Sequence, residues 1–365
     1  MKTILIAHNY SEISFSAMSY HLAQHLANLG NEVVFISHDP YFADKMSVIK
    51  KQGKITICSW PTKKRPTSLR DFFWYAKIHL HYKPDIIIGH FVGSNITVSV
   101  SKFLSLGKVK TYEYYHTLSA QLMADQKKTS IKQKVLFIRK KIFYKLLCDV
   151  IICPSELAKA DLKSFYGLNK GFVLLNPMID RFKNKIISTE ESILISYLGR
   201  LDQSKGVLDL IEAYLRYKEK VKYSKIILNI AGTGSQEIKI KELVKSNMGV
   251  HYFGGLNYDQ IDAYLINSHF AIIPSKFDNL PTVGLEAMMN QTPLLISNTT
   301  GLTHYLNDGV ECFKFDATID EMVSLFAKVE DNFNSYQQMS IAARSTFLNT
   351  FSMDMYCKNF AEIIL

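Results

Sequence analysis

Ile86, Ile87 and Ile88 stand in a row between Lys83-Pro84-Asp85 and Gly89, and short apolar runs of this kind recur along the chain. Continuous runs of β-branched residues suit parallel strands covered on both faces. Between the runs lie segments with apolar residues at helical spacing, such as SAMSYHLAQHLANLG, which stops at Gly30. The strand-type runs of the first half are KTILIAHNY, NEVVFISH, KITICSW, KPDIIIGHF, Lys110 to Tyr115 and CDVIICPS. After LLNPMID the pattern restarts with SILISYLGR, VLDLIEAYLRYKEK, KIILNIAG, QEIKIKELVKSN, VHYFGG, DQIDAYLINS, HFAIIPS, TVGLEAMMN and TPLLISN. Strand–helix alternation that restarts once predicts two doubly wound Rossmann-like α/β domains. The expected division is 1–178, 179–335 and C-terminal helices over 336–365 that pack back on the first domain. The linker is placed near Asn176 to Thr189, where polar residues break the apolar pattern.

Length agrees with two domains: 365 residues are ample for two cores. No apolar stretch approaches the roughly 20 residues of a membrane span, and the apolar run at the start is too short for a signal peptide. The five cysteines, Cys58, Cys148, Cys153, Cys312 and Cys357, form no C-x-x-C pair. Neither a zinc site nor a disulfide framework is expected, and a reducing cytoplasm fits. The net charge of +10 favours anionic partners. It is concentrated in Lys63, Lys64, Arg65 and Arg70, and in the run from Lys127 to Lys145, which has eight Lys or Arg and no acid.

Four features lie at strand ends of the second half, where open α/β sheets bind their ligands. In YLGRLDQSKG, Gly199-Arg200 and Lys205 bring two cations to one strand end, suited to a diphosphate. AGTGS, with Gly232 and Gly234, permits close backbone approach to a ligand. FGGL follows the next strand. In PSKFDNLPTVGLEAMMN, Asp278 sits at a loop tip. Asn279, Leu280, Pro281 and Thr282 start a helix, and Glu286 lies one or two turns in. A helix start offers amides and a positive dipole end to phosphate. A carboxylate further along can accept ribose hydroxyls. Each feature has a plainer reading as a turn or a solvated charge, and Asp278 or Glu286 alone favours that reading. All four in succession favour binding.

These segments, GRLDQSKG, AGTGS, FGGL and DNLPTVGLEAM, resemble the donor domain of family 4 retaining glycosyltransferases of the GT-B fold. The resemblance extends through CDVIICPSELAKADLKSFYG and NPMID back to the first strand. It implies two such domains facing an interdomain cleft, with acceptor bound by the first and nucleotide-sugar donor by the second. It implies that Arg200 and Lys205 bind the diphosphate, that Glu286 binds the ribose, and that Asp278 contacts the transferred sugar. Gly199, Gly232, Gly234, Asn279, Leu280, Pro281 and Thr282 complete the donor set. His116, in KTYEYYHT, corresponds to a histidine near the reacting sugar, and its alternative is a partly buried structural role. The implied reaction moves a hexose-type sugar from a nucleoside-diphosphate sugar to a glycan or polyprenyl-linked acceptor in bacterial surface polysaccharide assembly. It retains anomeric configuration and needs no metal or other cofactor. The chain departs from the family in two places. HNYSEISFSAMS lacks the usual glycine turn, leaving Ser11, Ser14 and Ser16 as replacement contacts, and Asp278 replaces the first acid of E-x7-E, giving D-x7-E.

Competing readings are weighed by what they require. A nucleotide-dependent oxidoreductase needs G-x-G-x-x-G after the first strand, and HNYSEISFS lacks it. A non-catalytic sugar-nucleotide binder and a sugar-nucleotide epimerase of the same fold are the remaining alternatives. Nucleic acid is not expected as a partner, since no aromatic platform interleaves the basic residues. The segment KKTSIKQKVLFIRKKIFYK mixes basic and apolar residues at helical spacing. An anionic membrane surface is therefore a candidate partner, against a solvated helix with one core face.

Overall fold

Ile4, Leu5, Ile6 and Ala7 are all fully buried, so the first strand is covered on both faces as its apolar run requires. This and the following observations come from a computed structural model. It describes residues 1–8, 17–38, 47–49, 53–62, 66–90, 94–119, 123, 131–185, 192–245, 247 and 249–365. Ser11, Ser14, Ser16, Lys63, Lys64 and Arg65 lie outside the described residues. The chain folds as two units. The first holds the described residues of Met1–His116, Lys128–Ile179 and Met353–Leu365, the second those of Thr117–Lys127 and Asp180–Ser352.

The first unit runs β1 (Thr3–Ala7), α1 (Ala17–Asn28), β2 (Glu32–Ser37), β3 (Ser47–Ile49), β4 (Lys54–Ser59), α2 (Leu69–Tyr82) and β5 (Ile86–Gly89). It continues with α3 (Ser94–Leu104), β6 (Lys110–Tyr114), α4 (Ile131–Leu147), β7 (Val150–Cys153), α5 (Glu156–Tyr166) and β8 (Gly171–Val173). The sheet order is β3-β4-β2-β1-β5-β6-β7-β8. All pairs are parallel except β3 with β4. Local chemistry sets the helix starts. Ser68 and Asp71 form a capping box on α2, and the Ser155 side chain accepts from the Ala158 amide at the start of α5.

The second unit runs β9 (Ile193–Leu198), α6 (Val207–Lys220), β10 (Ile226–Ala231), α7 (Glu237–Lys245), β11 (Val250–Tyr252), α8 (Tyr258–Ile266) and β12 (Phe270–Ile273). Then follow α9 (Thr282–Met289), β13 (Leu294–Ser297), β14 (Cys312–Phe315), α10 (Ile319–Asp331) and α11 (Tyr336–Thr346). Its six strands are all parallel, in the order β11-β10-β9-β12-β13-β14. The chain leaves β9 toward β10 on one side and later returns to β12 on the other. The carboxyl ends of β9 and β12 thus form a topological switch point, where such sheets bind ligands. In the first sheet the equivalent point lies between β1 and β5.

The segment 336–365, expected to pack back on the first domain as a whole, is divided between the two units. The last helix, α12 (Met353–Ile364), belongs to the first unit. Its buried Tyr356, Cys357, Phe360, Ala361 and Ile364 repeat at helical spacing and join that unit's core. Burying an aromatic or branched side chain of this size contributes ~1.5–3 kcal/mol. Lys2 Nζ ties the helix end by donating to the Ile364 and Leu365 carbonyls at 3.0 and 3.1 Å. Helix α11 instead stays with the second unit. Ser340 Oγ donates to the Gln291 carbonyl at 2.7 Å, and Arg344 donates to Asp180 and to the Met289 carbonyl. The apolar face of α11, with Tyr336 and Met339, joins the second unit's core, and these polar contacts at the end of α9 add to that anchoring.

Candidate functional site

At the β9/β12 switch point lies a cavity of about 330 Å3. Gly199, Arg200, Lys205, Asp278, Leu280, Pro281 and Thr282 all line it, with Tyr197 and Ser275. They come from two segments, the end of β9 through Lys205 and the end of β12 through the start of α9, which the pairing of β9 with β12 brings together.

The two cations are held differently. Arg200 follows β9 directly, and its side chain is 53% exposed. Its Nη1 lies 2.9 Å from Asp202 Oδ2, and Asp202 also accepts from the amide and hydroxyl of Ser235 in AGTGS. Tyr197 Oη donates to the Arg200 carbonyl at 2.6 Å, fixing the strand end. Lys205 ends a single 3-10 turn, Gln203–Lys205. Its Nζ lies 2.5 Å from Asp278 Oδ2, with both side chains largely buried. Gly206, which follows, adopts φ +70, and a Cβ there would lie 2.3 Å from the Pro274 carbonyl oxygen. Only glycine lets α6 start so close to the end of β12.

Asp278 lies in the loop between β12 and α9. It is buried, its backbone bridges to Thr300, and its carbonyl accepts from the Gly301 amide. This pairing across loops holds the carboxylate against Lys205. Asn279 is not the helix cap. The N-cap position of α9 is Pro281, and no side chain caps this end. Proline has no amide to leave unsatisfied, and its fixed φ sets up the first turn. The first-turn residues Thr282 and Val283 line the cavity, and no side chain caps their amides.

Glu286 occupies the fifth position of α9 and is 4% exposed. It does not line the cavity. Among the described residues, none hydrogen-bonds its carboxyl group. Burial raises it from 4.5 to about 7, partly offset by the Arg181 guanidinium and reinforced by Asp262. Arg181 itself is taken up by Asp262, with Nε and Nη2 donating at 2.9 and 3.0 Å. Its guanidinium also stacks 4.5 Å over the Tyr258 ring. Asn290 Nδ2 donates to the same Asp262 at 2.9 Å. The sequence reading did not single out Arg181, Asp202, Asp262 or Tyr197. Arg181 follows NPMID directly, which was the one available signal.

Gly232 and Gly234 do not line the cavity. A Cβ on Gly232, at φ +139, would lie 1.8 Å from the Gly199 carbonyl oxygen, and one on Gly234 would lie 2.7 Å from Leu201 backbone. These glycines let two strand-end turns touch each other, and so hold Gly199 and Arg200 in place.

His116 belongs to the first unit, just beyond β6, and is half-buried. Its ring stacks on Tyr114 at 5.0 Å, and its Nε2 lies 3.4 Å from Nδ1 of His90.

Two family profiles match successive parts of the chain. The profile described as "Glycosyltransferase Family 4" covers residues 16–180, and "Glycosyl transferases group 1" covers residues 178–346. An uncharacterized glycosyltransferase of Methanocaldococcus jannaschii is 24% identical over 267 residues, covering 69% of this chain and 64% of that one. The chain therefore spans less than two thirds of this relative's length. Among solved structures, the sucrose-phosphate synthase of Thermosynechococcus elongatus superposes with a TM-score of 0.75 at 14% identity. It covers 100% of this chain and 98% of its own. Anabaena HepE in complex with UDP-glucose gives 0.70 at 12% identity, covering 100% and 99%. These likenesses show the GT-B fold, and with the two profiles, which together run from residue 16 to residue 346, they establish that the chain belongs to glycosyltransferase family 4.

Proposed function

We propose that this chain transfers a hexose-type sugar from a nucleoside-diphosphate sugar to a glycan or polyprenyl-linked acceptor, in bacterial surface polysaccharide assembly. One observation carries the reading: Arg200, Lys205 and the uncapped start of α9 converge on one cavity at the switch point of the second sheet. Two cations and a helix N-terminus suit a diphosphate. In this reading the leaving nucleoside diphosphate is stabilised by these groups alone, without a metal ion. Glu286 takes the ribose hydroxyls, which supply the hydrogen bonds its carboxyl lacks. Asp278 contacts the transferred sugar, and the anomeric configuration is retained. A uridine nucleotide is the first donor to test, since HepE, of the same fold, was solved with UDP-glucose.

The first unit is assigned the acceptor, with His116 as its catalytic group. The membrane reading rests on α4. Val135, Leu136, Ile138, Ile142 and Leu146 are 52–68% exposed. At 100° per residue, Val135, Ile138, Ile142 and Leu146 fall within about 80° of arc. Exposed Lys134, Lys141 and Lys145 flank this stripe on one side and Arg139 on the other. The inner face is formed by Phe137, Lys140, Tyr144 and Leu147. An outward apolar stripe between cations suits an anionic bilayer surface. Among the described residues no helix is long and apolar enough to cross a membrane.

Removing one preorganised donor at a developing charge costs about 10²–10³ in rate. Arg200→Ala and Lys205→Ala are each expected to lower turnover on that scale, measured by release of nucleoside diphosphate. Unchanged turnover in both variants contradicts the diphosphate clamp.

A further inference from the structure

At the switch point of the first sheet, three histidines and one serine meet. His8 follows β1, His90 follows β5 and His116 follows β6, while Ser19 comes from the first turns of α1. His8, Ser19 and His90 are buried. Ser19 Oγ lies 2.6 Å from His8 Nδ1 and 3.2 Å from His90 Nε2. The other nitrogen of His90, Nδ1, lies 3.4 Å from His116 Nε2.

The central ring is sandwiched. His90 is stacked against His8 at 4.3 Å and against Tyr114 at 3.9 Å. Tyr114 is itself pinned by Tyr356 of α12, with the two hydroxyl oxygens 2.5 Å apart. Burial disfavours the charged form of all three imidazoles. Burial pushes His8 down to about 3 and holds His90 and His116 well below the ordinary histidine range. His90 is lowered further by its two histidine neighbours, and His116 by His8 and Lys140.

One hydroxyl between two neutral imidazoles has a single proton to give. It donates to one ring and must accept from the other. O–H donors make shorter bonds than N–H donors, about 2.7–2.8 Å against 2.9–3.0 Å. The 2.6 Å contact therefore marks Ser19 as donor to His8 Nδ1, and the 3.2 Å contact marks His90 Nε2–H as donor to Ser19. His90 Nδ1 is then the lone-pair nitrogen, and the proton between the two rings belongs to His116 Nε2.

We propose that His90 is a positioning residue for His116, and that the chain His8–Ser19–His90–His116 fixes His116 as the Nε2–H tautomer, with Nδ1 as its acceptor nitrogen. The catalytic consequence rests on the reading of His116 as the catalytic group of the first unit. The tautomer itself does not.

Long-range ¹⁵N correlation spectra of the histidine-labelled full chain report which ring nitrogen carries each proton. In the wild type, His8, His90 and His116 are each expected as single Nε2–H species. In Ser19→Ala, which removes the shared hydroxyl, His90 and His116 are expected to populate both tautomers. Ser19→Thr, which keeps a hydroxyl, restores one. A wild-type His116 protonated on Nδ1, or single unchanged tautomers of His90 and His116 in Ser19→Ala, overturns the proposal. Turnover separates the two layers. A mixture of tautomers lowers kcat by a factor on the order of 2–10, the inverse of the competent fraction, with donor KM unchanged. Altered tautomers with unaltered kcat leave the chain standing and remove His116 from catalysis.

Discussion

Lys205 Nζ and Asp278 Oδ2 lie 2.5 Å apart, so a cation proposed to hold phosphate is already matched by a carboxylate. Arg200 is matched in the same way by Asp202 at 2.9 Å. The clamp is close to neutral before any ligand arrives. On the proposed reading, a diphosphate has to share or displace these acids.

Asp278→Asn separates the two roles of this acid. It leaves Lys205 uncompensated, so a nucleoside diphosphate without sugar is expected to bind roughly three- to tenfold more tightly. Turnover of the sugar nucleotide is expected to fall, because the contact to the transferred sugar is weakened. Calorimetric titration of the diphosphate, alongside turnover, checks both signs. Weaker diphosphate binding contradicts the idea that Asp278 competes for Lys205.

Glu286→Gln links stability to donor binding. Burial raises the Glu286 carboxyl from 4.5 to about 7. In the fold it thus stays protonated where the unfolded chain is already ionised. Stability falls as pH rises from about 4.5 to about 7, by about 3 kcal/mol in total. Glutamine removes this dependence, so the variant is expected to melt higher than wild type at pH 8 and to show a flatter profile between pH 5 and 7. Donor affinity is expected to drop roughly 10- to 100-fold with the loss of charged hydrogen bonds to ribose. A lower Tm at pH 8 contradicts the assignment of a desolvated carboxylate.

The exposed stripe of α4 predicts sedimentation with anionic vesicles at low salt, weakening as salt is raised. Replacing Ile138 and Ile142 together by Glu is expected to lower that binding roughly 100-fold, from lost apolar burial and added repulsion. Turnover on a soluble acceptor is expected to stay unchanged. Absence of wild-type binding to anionic vesicles at low salt removes the membrane reading.

The strands and helices around the clamp were legible because their signals are local. Apolar runs such as HFAIIPS mark buried parallel strands, and Gly199-Arg200 and Lys205 stand at a strand end that periodicity alone locates. Two of the short edge strands were not legible, whereas a third, Val250–Tyr252, was marked as VHYFGG by the glycine pair that ends it. Ser47–Ile49 and Gly171–Val173 have three residues each, too few for a period, and exist because a neighbouring strand pairs with them. The partners of the site residues were hidden for a related reason. Lys205 and Asp278 are 73 positions apart, and His90 lies 71 positions from Ser19. Such pairs are set by sheet order and leave no spacing signature. The glycines of AGTGS were visible as a backbone approach, but their neighbour is the Gly199–Leu201 backbone of this chain.

The central claim is tested most directly by a crystal structure of the chain with a bound nucleoside diphosphate. The account predicts phosphate oxygens within hydrogen-bonding distance of Arg200, Lys205 and the Thr282 and Val283 amides, with ribose hydroxyls on Glu286. Phosphates bound elsewhere on the molecule, with the β9/β12 cavity unoccupied, would contradict it.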